Sequence, residues 1–219
     1  MNTTVAIMAR VPRWGKVKTR LAATIGPGRT LQLYAATLAD IAKTVADFSS
    51  AAFLYWDSDG FYRRPAQVFS RSLRQQLIHR QQGPGDLGQK MFGAMSSLLA
   101  QGHAKALLVG SDFPALTSQH LGQAARWLDQ HPVVFGPASD GGYYLIGMRK
   151  VFSFLFNQLP WGRNTVLSES LARCQQAGVA YGLLPVEHDV DTVADLKHLA
   201  YDSRLSFRTR RVLTRWGLP

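Results

Sequence analysis

Cysteine is nearly absent from this chain: Cys174 is the only one in 219 residues, so an internal disulfide framework is excluded. Thiol chemistry needs an activating environment. Cys174 lies in a stretch of helical period, where a small core or surface residue is the plainer expectation. No apolar run approaches the roughly 20 residues of a membrane span. Met1 to Thr4 lead straight into the apolar run Val5–Met8, without the basic region, long apolar core and cleavage site of a secretory signal. A soluble cytoplasmic protein is expected. No Pro/Gly/Ser-rich linker interrupts the chain, which predicts one domain over residues 1–219. Acid is also scarce, 14 residues against 25 lysines and arginines, a net charge of +11. Three stretches contain no acid at all: Arg10 to Arg20, Arg63 to Arg80 and Arg204 to Arg215.

What is present is a core. Hydrophobic residues make up 46% of the chain, and short β-rich runs alternate with segments of helical period, the pattern of an α/β protein with a largely parallel sheet. The strand candidates are Val5–Met8, Ala51–Trp56, Gln76–His79, Ala104–Val109, Val133–Phe135, Tyr143–Ile146 and Val179–Leu184. Between them, Leu31, Ala35, Leu38, Ile41, Ala42 and Val45 recur at helical spacing, as do Leu87, Met91, Ala94 and Leu98. Leu121, Ala125 and Leu128, then Leu167, Leu171 and Cys174, then Leu196, Leu199 and Ala200 mark further helices. The runs around Tyr143 and Gln76 lack clear helical crossovers, which predicts a mixed sheet with at least one antiparallel strand.

Ligands of open α/β sheets bind outside the carboxyl ends of the strands, and the loops there carry the unusual residues. After the first strand, a Pro- and Gly-containing loop delivers Lys16, Lys18 and Arg20 to a helix start. Ammonium groups, a guanidinium fork and free N–H groups together make an anion site, although solvated lysines on a surface loop have the same composition. The glycine patterns of the Walker loop and of the dinucleotide fingerprint are both absent. Past the fourth strand, Asp112 in Gly110-Ser111-Asp112-Phe113-Pro114 is placed to hold a hard cation or a ribose hydroxyl, or to cap a turn. Near the C-terminus, Asp189 and Asp191 lie at i and i+2, so in extended backbone they point the same way and can share one Mg²⁺ or Mn²⁺. Asp191 or Thr192 can also cap the next helix, and His188 is read as structural. In Asp140-Gly141-Gly142-Tyr143 the glycines allow either a hairpin turn or close approach of a ligand to the backbone, with Asp140 accepting from its hydroxyls. Asp86 in Gly85-Asp86-Leu87-Gly88 either caps a helix or lines the pocket.

Taken in order, Lys16-Val17-Lys18-Thr19-Arg20-Leu21-Ala22, Gly85-Asp86-Leu87-Gly88, Gly110-Ser111-Asp112-Phe113-Pro114, Gly136 to Gly147 and Asp189-Val190-Asp191-Thr192 resemble a known family. It is the glycosyltransferase-A-like domain of unknown function DUF2064, also called arsenosugar-biosynthesis-type glycosyltransferases, of the nucleotide-diphospho-sugar transferase superfamily. The resemblance implies a three-layer α/β/α sandwich and a divalent metal, Mg or Mn, on Asp112 with Asp189 and Asp191. The acidic C-terminal pair is also similar to guanylyltransferases of deazaflavin cofactor synthesis, which keeps the reaction type open. Lys90 stands where the family pattern has arginine, and Pro160-Trp161-Gly162-Arg163-Asn164-Thr165 departs from its usual loop.

A metal-dependent glycosyltransferase using a nucleotide sugar is the leading expectation. In it Lys16, Lys18 and Arg20 hold the diphosphate, Asp112 and Asp191 act through the metal, and Asp140, Asp86, Gly141, Gly142 and Tyr143 meet sugar or acceptor. The alternative is a nucleotidyltransferase that passes a nucleoside monophosphate from an NTP to a small anionic acceptor. The neutral-to-acidic composition around Asp140 and Tyr143 favours the first, with a hydroxyl-rich neutral acceptor. A nucleic-acid or anionic-lipid patch on Arg204, Arg208, Arg210, Arg211, Arg215 and Trp216, within a basic C-terminal helix or tail over 203–219, is a third reading. It is weakened by the scarcity of interleaved aromatics, and a solvated terminal helix is the simpler account.

Overall fold

In the computed structural model, which describes residues 3–57 and 68–218, period-two alternation organises the architecture. In β1 (Thr3–Ala9) and β2 (Ala52–Trp56), Val5, Ile7, Leu54 and Trp56 face one layer of helices, while Ala6, Phe53 and Tyr55 face the other. Strands buried on both faces read as continuous apolar runs, and every residue of β2 is buried. The sheet has seven strands, joined by β3 (Leu77–Gln81), β4 (Lys105–Gly110), β5 (Val133–Pro137), β6 (Tyr143–Met148) and β7 (Tyr181–Leu183), in the order β3-β2-β1-β4-β6-β5-β7. Only β6 runs antiparallel to its neighbours, β4 and β5.

The expectation for β6 therefore holds, while β3 is parallel to β2 and is entered through α3 (Arg71–Gln76), a short helix capped by Ser70 Oγ. Its brevity is why no crossover shows in the pattern. β3 also starts one residue later than expected and runs on to Gln81. The first five residues of the acid-free stretch Arg63 to Arg80 lie outside the described residues.

On one face pack α2 (Pro27–Phe48), α3 and α5 (Ser118–Gln130); on the other, α4 (Leu87–Ala100) and α6 (Val166–Gln176). The helices begin where their caps dictate. Asp86 and Gln89 form a reciprocal capping box at α4, and Thr117 and His120 do so at α5. α2 buries Leu38, Ile41, Ala42 and Val45 of the expected stripe, with Leu31 partly buried against the core and Leu33 and Tyr34 buried as well, and Leu87 is exposed at the start of α4. Cys174 is fully buried, and burial pushes its thiol up to about 11, so it is a core residue.

α1 (Thr19–Ile25), α7 (Val193–Ala200) and α8 (Phe207–Arg215) close a third cluster around Leu21, Leu33, Val190, Leu196 and Leu213. The C-terminal basic residues are largely engaged in this packing. Arg204 forks onto Glu187 at 2.5 and 2.8 Å and bonds Asp202, and Arg208 lies 3.4 Å from Asp40. The expected terminal helix forms as α8, with Arg211 and Arg215 exposed and Thr209, Val212 and Leu213 buried. Asp40, only 2% exposed, accepts from the Thr209 amide at 2.7 Å and hydroxyl at 2.8 Å. It satisfies the first turn of α8 from within α2. Asp40→Ala leaves those donors buried without an acceptor, so the free energy of unfolding in urea should fall by about 2–3 kcal/mol. An unchanged midpoint would show that water replaces the carboxylate.

Candidate functional site

The carboxyl ends of β1, β2, β3 and β4 and the start of antiparallel β6 open onto one cleft of about 510 Å³, within the usual range for small-molecule sites. Its walls include Arg10, Asp57, Gln82, Lys90, Ser111, Asp112, Asp140, Tyr143, Tyr144, Trp161, Arg163, Asp189 and Asp191. A smaller space of about 200 Å³ adjoins it, shares Arg10, Ser111, Asp112 and Asp191, and adds Lys18, Arg20 and Tyr34.

Between the two spaces stands Lys18. Its ammonium donates to Asp112 Oδ1 at 2.5 Å and to the Val190 carbonyl at 2.6 Å, and lies 3.6 Å from Asp191 Oδ1. The side chain is 4% exposed, against 46% and 50% for the two carboxylates. Local backbone explains the placement. Val17 is driven into the core at 2% exposure, and Lys18 then adopts a left-handed conformation (φ 43°, ψ 56°) as the N-cap of α1. That conformation is uncommon for a side chain of this size and aims the ammonium inward. Lys16, on the other side of Val17, is exposed and lines neither space. The three basic residues expected to act together are thus split: Lys18 is inside, Arg20 lines the smaller space, and Lys16 faces away.

The acidic residues do converge. Asp112 follows β4, and its carbonyl accepts from the Val190 amide at 3.1 Å. Asp189 and Asp191 both line the cleft. Thr192, not Asp191, caps α7, and Asp195 Oδ2 takes the amides of Asp191 and Thr192 at 3.0 and 2.7 Å. The Asp191 carboxylate is left for the cleft. Burial, then the nearby charges of Asp112 and Asp140, push the Asp189 carboxyl up to about 7, against the opposing pull of Lys18. Carboxylate oxygens in excess over cations are the donor set a hard divalent ion takes, so the residues fit Mg or Mn in donor type and charge. The expected three-carboxylate cage is not formed: among the described residues no three such groups stand at ligand spacing. The physical reason is that the Lys18 ammonium already lies 2.5 Å from Asp112 Oδ1 and 3.6 Å from Asp191 Oδ1 and compensates their charge.

The β5–β6 hairpin positions Asp140, whose Oδ1 accepts from the Gly142 amide at 2.9 Å. Asp140, Gly142 and Tyr143 line the cleft as expected, but Gly141 does not. Its φ of 88°, and an Asn164 backbone carbonyl 2.0 Å from where a Cβ would stand, show that this glycine serves packing rather than ligand approach. Asp86 is likewise engaged in its capping box, and Leu87, Lys90 and Met91 of the same helix reach the cleft instead.

Three residues of the two spaces are not singled out by the sequence. Tyr34 Oη donates to the Arg10 carbonyl at 2.9 Å and accepts from the Arg10 amide at 3.0 Å, lying 3.2 Å from Ser111 Oγ. Asp57 Oδ1 accepts from the Val11 amide at 2.8 Å. Tyr34 hides in an apolar helical stripe, and Asp57 ends a strand without any motif. Ser111, within a motif already noted, was passed over for its neighbour.

Residues 41–163, more than half of the chain, match the bacterial family described as "Uncharacterized protein conserved in bacteria (DUF2064)". A crystal structure from Desulfovibrio desulfuricans G20, named as a candidate nucleotide-diphospho-sugar transferase, superposes with a TM-score of 0.89 at 29% identity. It covers 99% of this chain and 95% of that one. A cytidylyltransferase from Leptospira borgpetersenii serovar Hardjo-bovis aligns with TM-score 0.57 and 13% identity over 99% and 95% of the two chains. A Mycobacterium tuberculosis H37Rv protein solved in complex with manganese aligns with TM-score 0.50 and 14% identity over 90% and 97%. These last two share the fold. Proteins of curated function give no significant match.

The raised carboxyl of Asp189 sets a pH dependence. Its folded value, about 7, exceeds its ordinary 3.8, so the stability it contributes is complete below about 3.8 and is lost as pH rises through 7. With chelator present, Asp189→Asn should therefore flatten the fall in Tm between pH 5 and pH 8. Parallel curves for the variant and the parent would remove Asp189 from the charge cluster.

Proposed function

The chain belongs to the DUF2064 family of bacterial proteins, and we propose from its cleft that it is a transferase acting on a nucleotide sugar. The observation that carries this reading is the buried Lys18 ammonium between Asp112 and Asp191, at the junction of a cleft large enough for a nucleoside and sugar with a smaller basic space. The D. desulfuricans neighbour supports it.

Arg20 and Arg10 hold the diphosphate as guanidinium donors, and Lys18 adds its positive charge from between the aspartates. A divalent ion would be held by the oxygens of Asp112 and Asp191 that Lys18 leaves free, with Asp189 beside them, and would neutralise the charge that develops on the leaving diphosphate. Asp140 accepts from sugar or acceptor hydroxyls. The Tyr143 and Tyr144 rings line the cleft wall, and among the described residues their buried hydroxyls have no hydrogen-bond partner. In the transfer, the acceptor oxygen bonds to the anomeric carbon as the bond from that carbon to the phosphate oxygen breaks. The nucleoside diphosphate leaves with the electron pair, and the acceptor proton passes to Asp140.

Nucleotidyl transfer from an NTP is the second reading, favoured by Lys90 and Arg163 in the same cleft and supported by the cytidylyltransferase fold neighbour. Product analysis with labelled nucleotide-sugar and NTP pools separates the two. Sugar turnover with release of nucleoside diphosphate is expected; pyrophosphate release from an NTP with no sugar turnover would overturn the first reading. Arg20→Ala should weaken nucleotide binding about tenfold with little change in Tm, since exposed cations add little to stability. Unaltered affinity would remove Arg20 from the diphosphate site.

A further inference from the structure

Two cations of the cleft are unexplained by the diphosphate site. Lys90 extends from the first turns of α4, and Arg163 from the turn that precedes α6. Both line the same cleft as Asp57, Asp112, Asp140, Asp189 and Asp191. Yet neither forms a salt bridge or side-chain hydrogen bond among the described residues, whereas Lys18 and Arg204 are fully engaged by carboxylates. Lys90 is half-buried, so its charge is only partly screened by water.

Their two segments are in contact. At Gly88, two residues before Lys90, an added Cβ would stand 2.5 Å from Trp161 Nε1 and 2.0 Å from the Phe156 carbonyl. The close approach of α4 to the 156–163 turn therefore requires glycine and brings the Trp161 edge against the helix that carries Lys90. Trp161 Nε1 is buried in this contact, with no hydrogen-bond partner among the described residues. The two cations, ammonium and guanidinium, share one property: each donates and neither accepts. A sugar hydroxyl, which also needs an acceptor, uses such a set poorly. Carboxylate or phosphate oxygens, which only accept when ionised, use it fully.

We infer that Lys90 and Arg163 form a second anion subsite, and that the acceptor is a small molecule bearing a carboxylate or a phosphate. This rests on the transferase reading for the word acceptor, but the subsite itself stands on the geometry. It replaces the neutral acceptor expected from the composition of the hairpin, because Lys90 reaches the cleft from a different element.

The test is calorimetric binding of 3-phosphoglycerate, glycerate and glycerol to the full chain, to Lys90→Gln/Arg163→Gln and to Arg20→Gln. Nucleoside diphosphates are titrated in parallel. Binding of 3-phosphoglycerate is expected, with affinity at least tenfold weaker in the double variant and preserved in Arg20→Gln. Glycerate binding as well would show that a carboxylate suffices, and its failure would show that a phosphate is needed. The inference is overturned if neither anion binds, if glycerol binds equally well, or if the double variant keeps full affinity. It is also overturned if Arg20→Gln loses as much, which would place the anion at the diphosphate site. Nucleoside diphosphate affinity should be the same in the double variant as in the parent. Failure of every nucleoside diphosphate to bind the parent would sink the transferase reading while leaving the anion result standing. A circular dichroism spectrum and Tm matching the parent show that the double variant folds.

Discussion

The insertion of Lys18 between two aspartates is the contact on which the cleft depends. One ammonium joins the loop after β1 to the end of β4 through Asp112, and to the loop before α7 through the Val190 carbonyl and Asp191. Each acidic loop alone would carry uncompensated charge at the edge of the core. With the lysine in place they can approach, and the Val190 amide then bonds the Asp112 carbonyl. A buried pair of this kind contributes less to stability than to geometry, since desolvation offsets much of its Coulombic gain.

Behind these residues lies a second charged hub. The Glu187 carboxylate takes both forks of Arg204 and the ring nitrogen of His120 at 3.0 Å. Burial alone would raise its pKa, but these partners hold it below the usual carboxylate range. The Glu187 backbone pairs with Pro137 and Ser139 next to the hairpin that carries Asp140. Thus Asp140 on one side and Asp189 and Asp191 on the other extend from a single braced segment. Tyr34 and Asp57 do the same for the loop after β1.

The residues reveal the strands, the antiparallel member and the acidic convergence because each has a local signature. An apolar run, a D-G-G turn and a carboxylate after a strand are visible without a partner in view. What stayed hidden depends on contacts far along the chain. Nothing near Lys16 and Lys18 tells which one turns inward; that is settled by the burial of Val17 and the left-handed backbone that follows it. Arg204 and Arg208 read as a basic patch because their partners, Glu187 and Asp40, lie 17 and 168 residues away. Lys90 was noted only as a departure from a pattern, since its helix reaches the cleft through the packing of Gly88 on Trp161. For Gly141 and Asp86 both readings stay open in sequence, because a turn and a cap look alike whether or not they face a cavity.

The bond from Lys18 to Val190 spans 172 residues, and that from Asp40 to Thr209 spans 169. Contacts so distant in the chain close late, after local helices and neighbouring strands have formed. During synthesis, β1 to β4 emerge well before the segment that carries Asp189, Asp191 and α8. Until then Asp112 and Lys18 have each other but no third partner, and Asp40 faces water. Any ligand site built on these contacts is therefore complete only once the segment carrying Val190 and Asp191 has docked on the loop after β1.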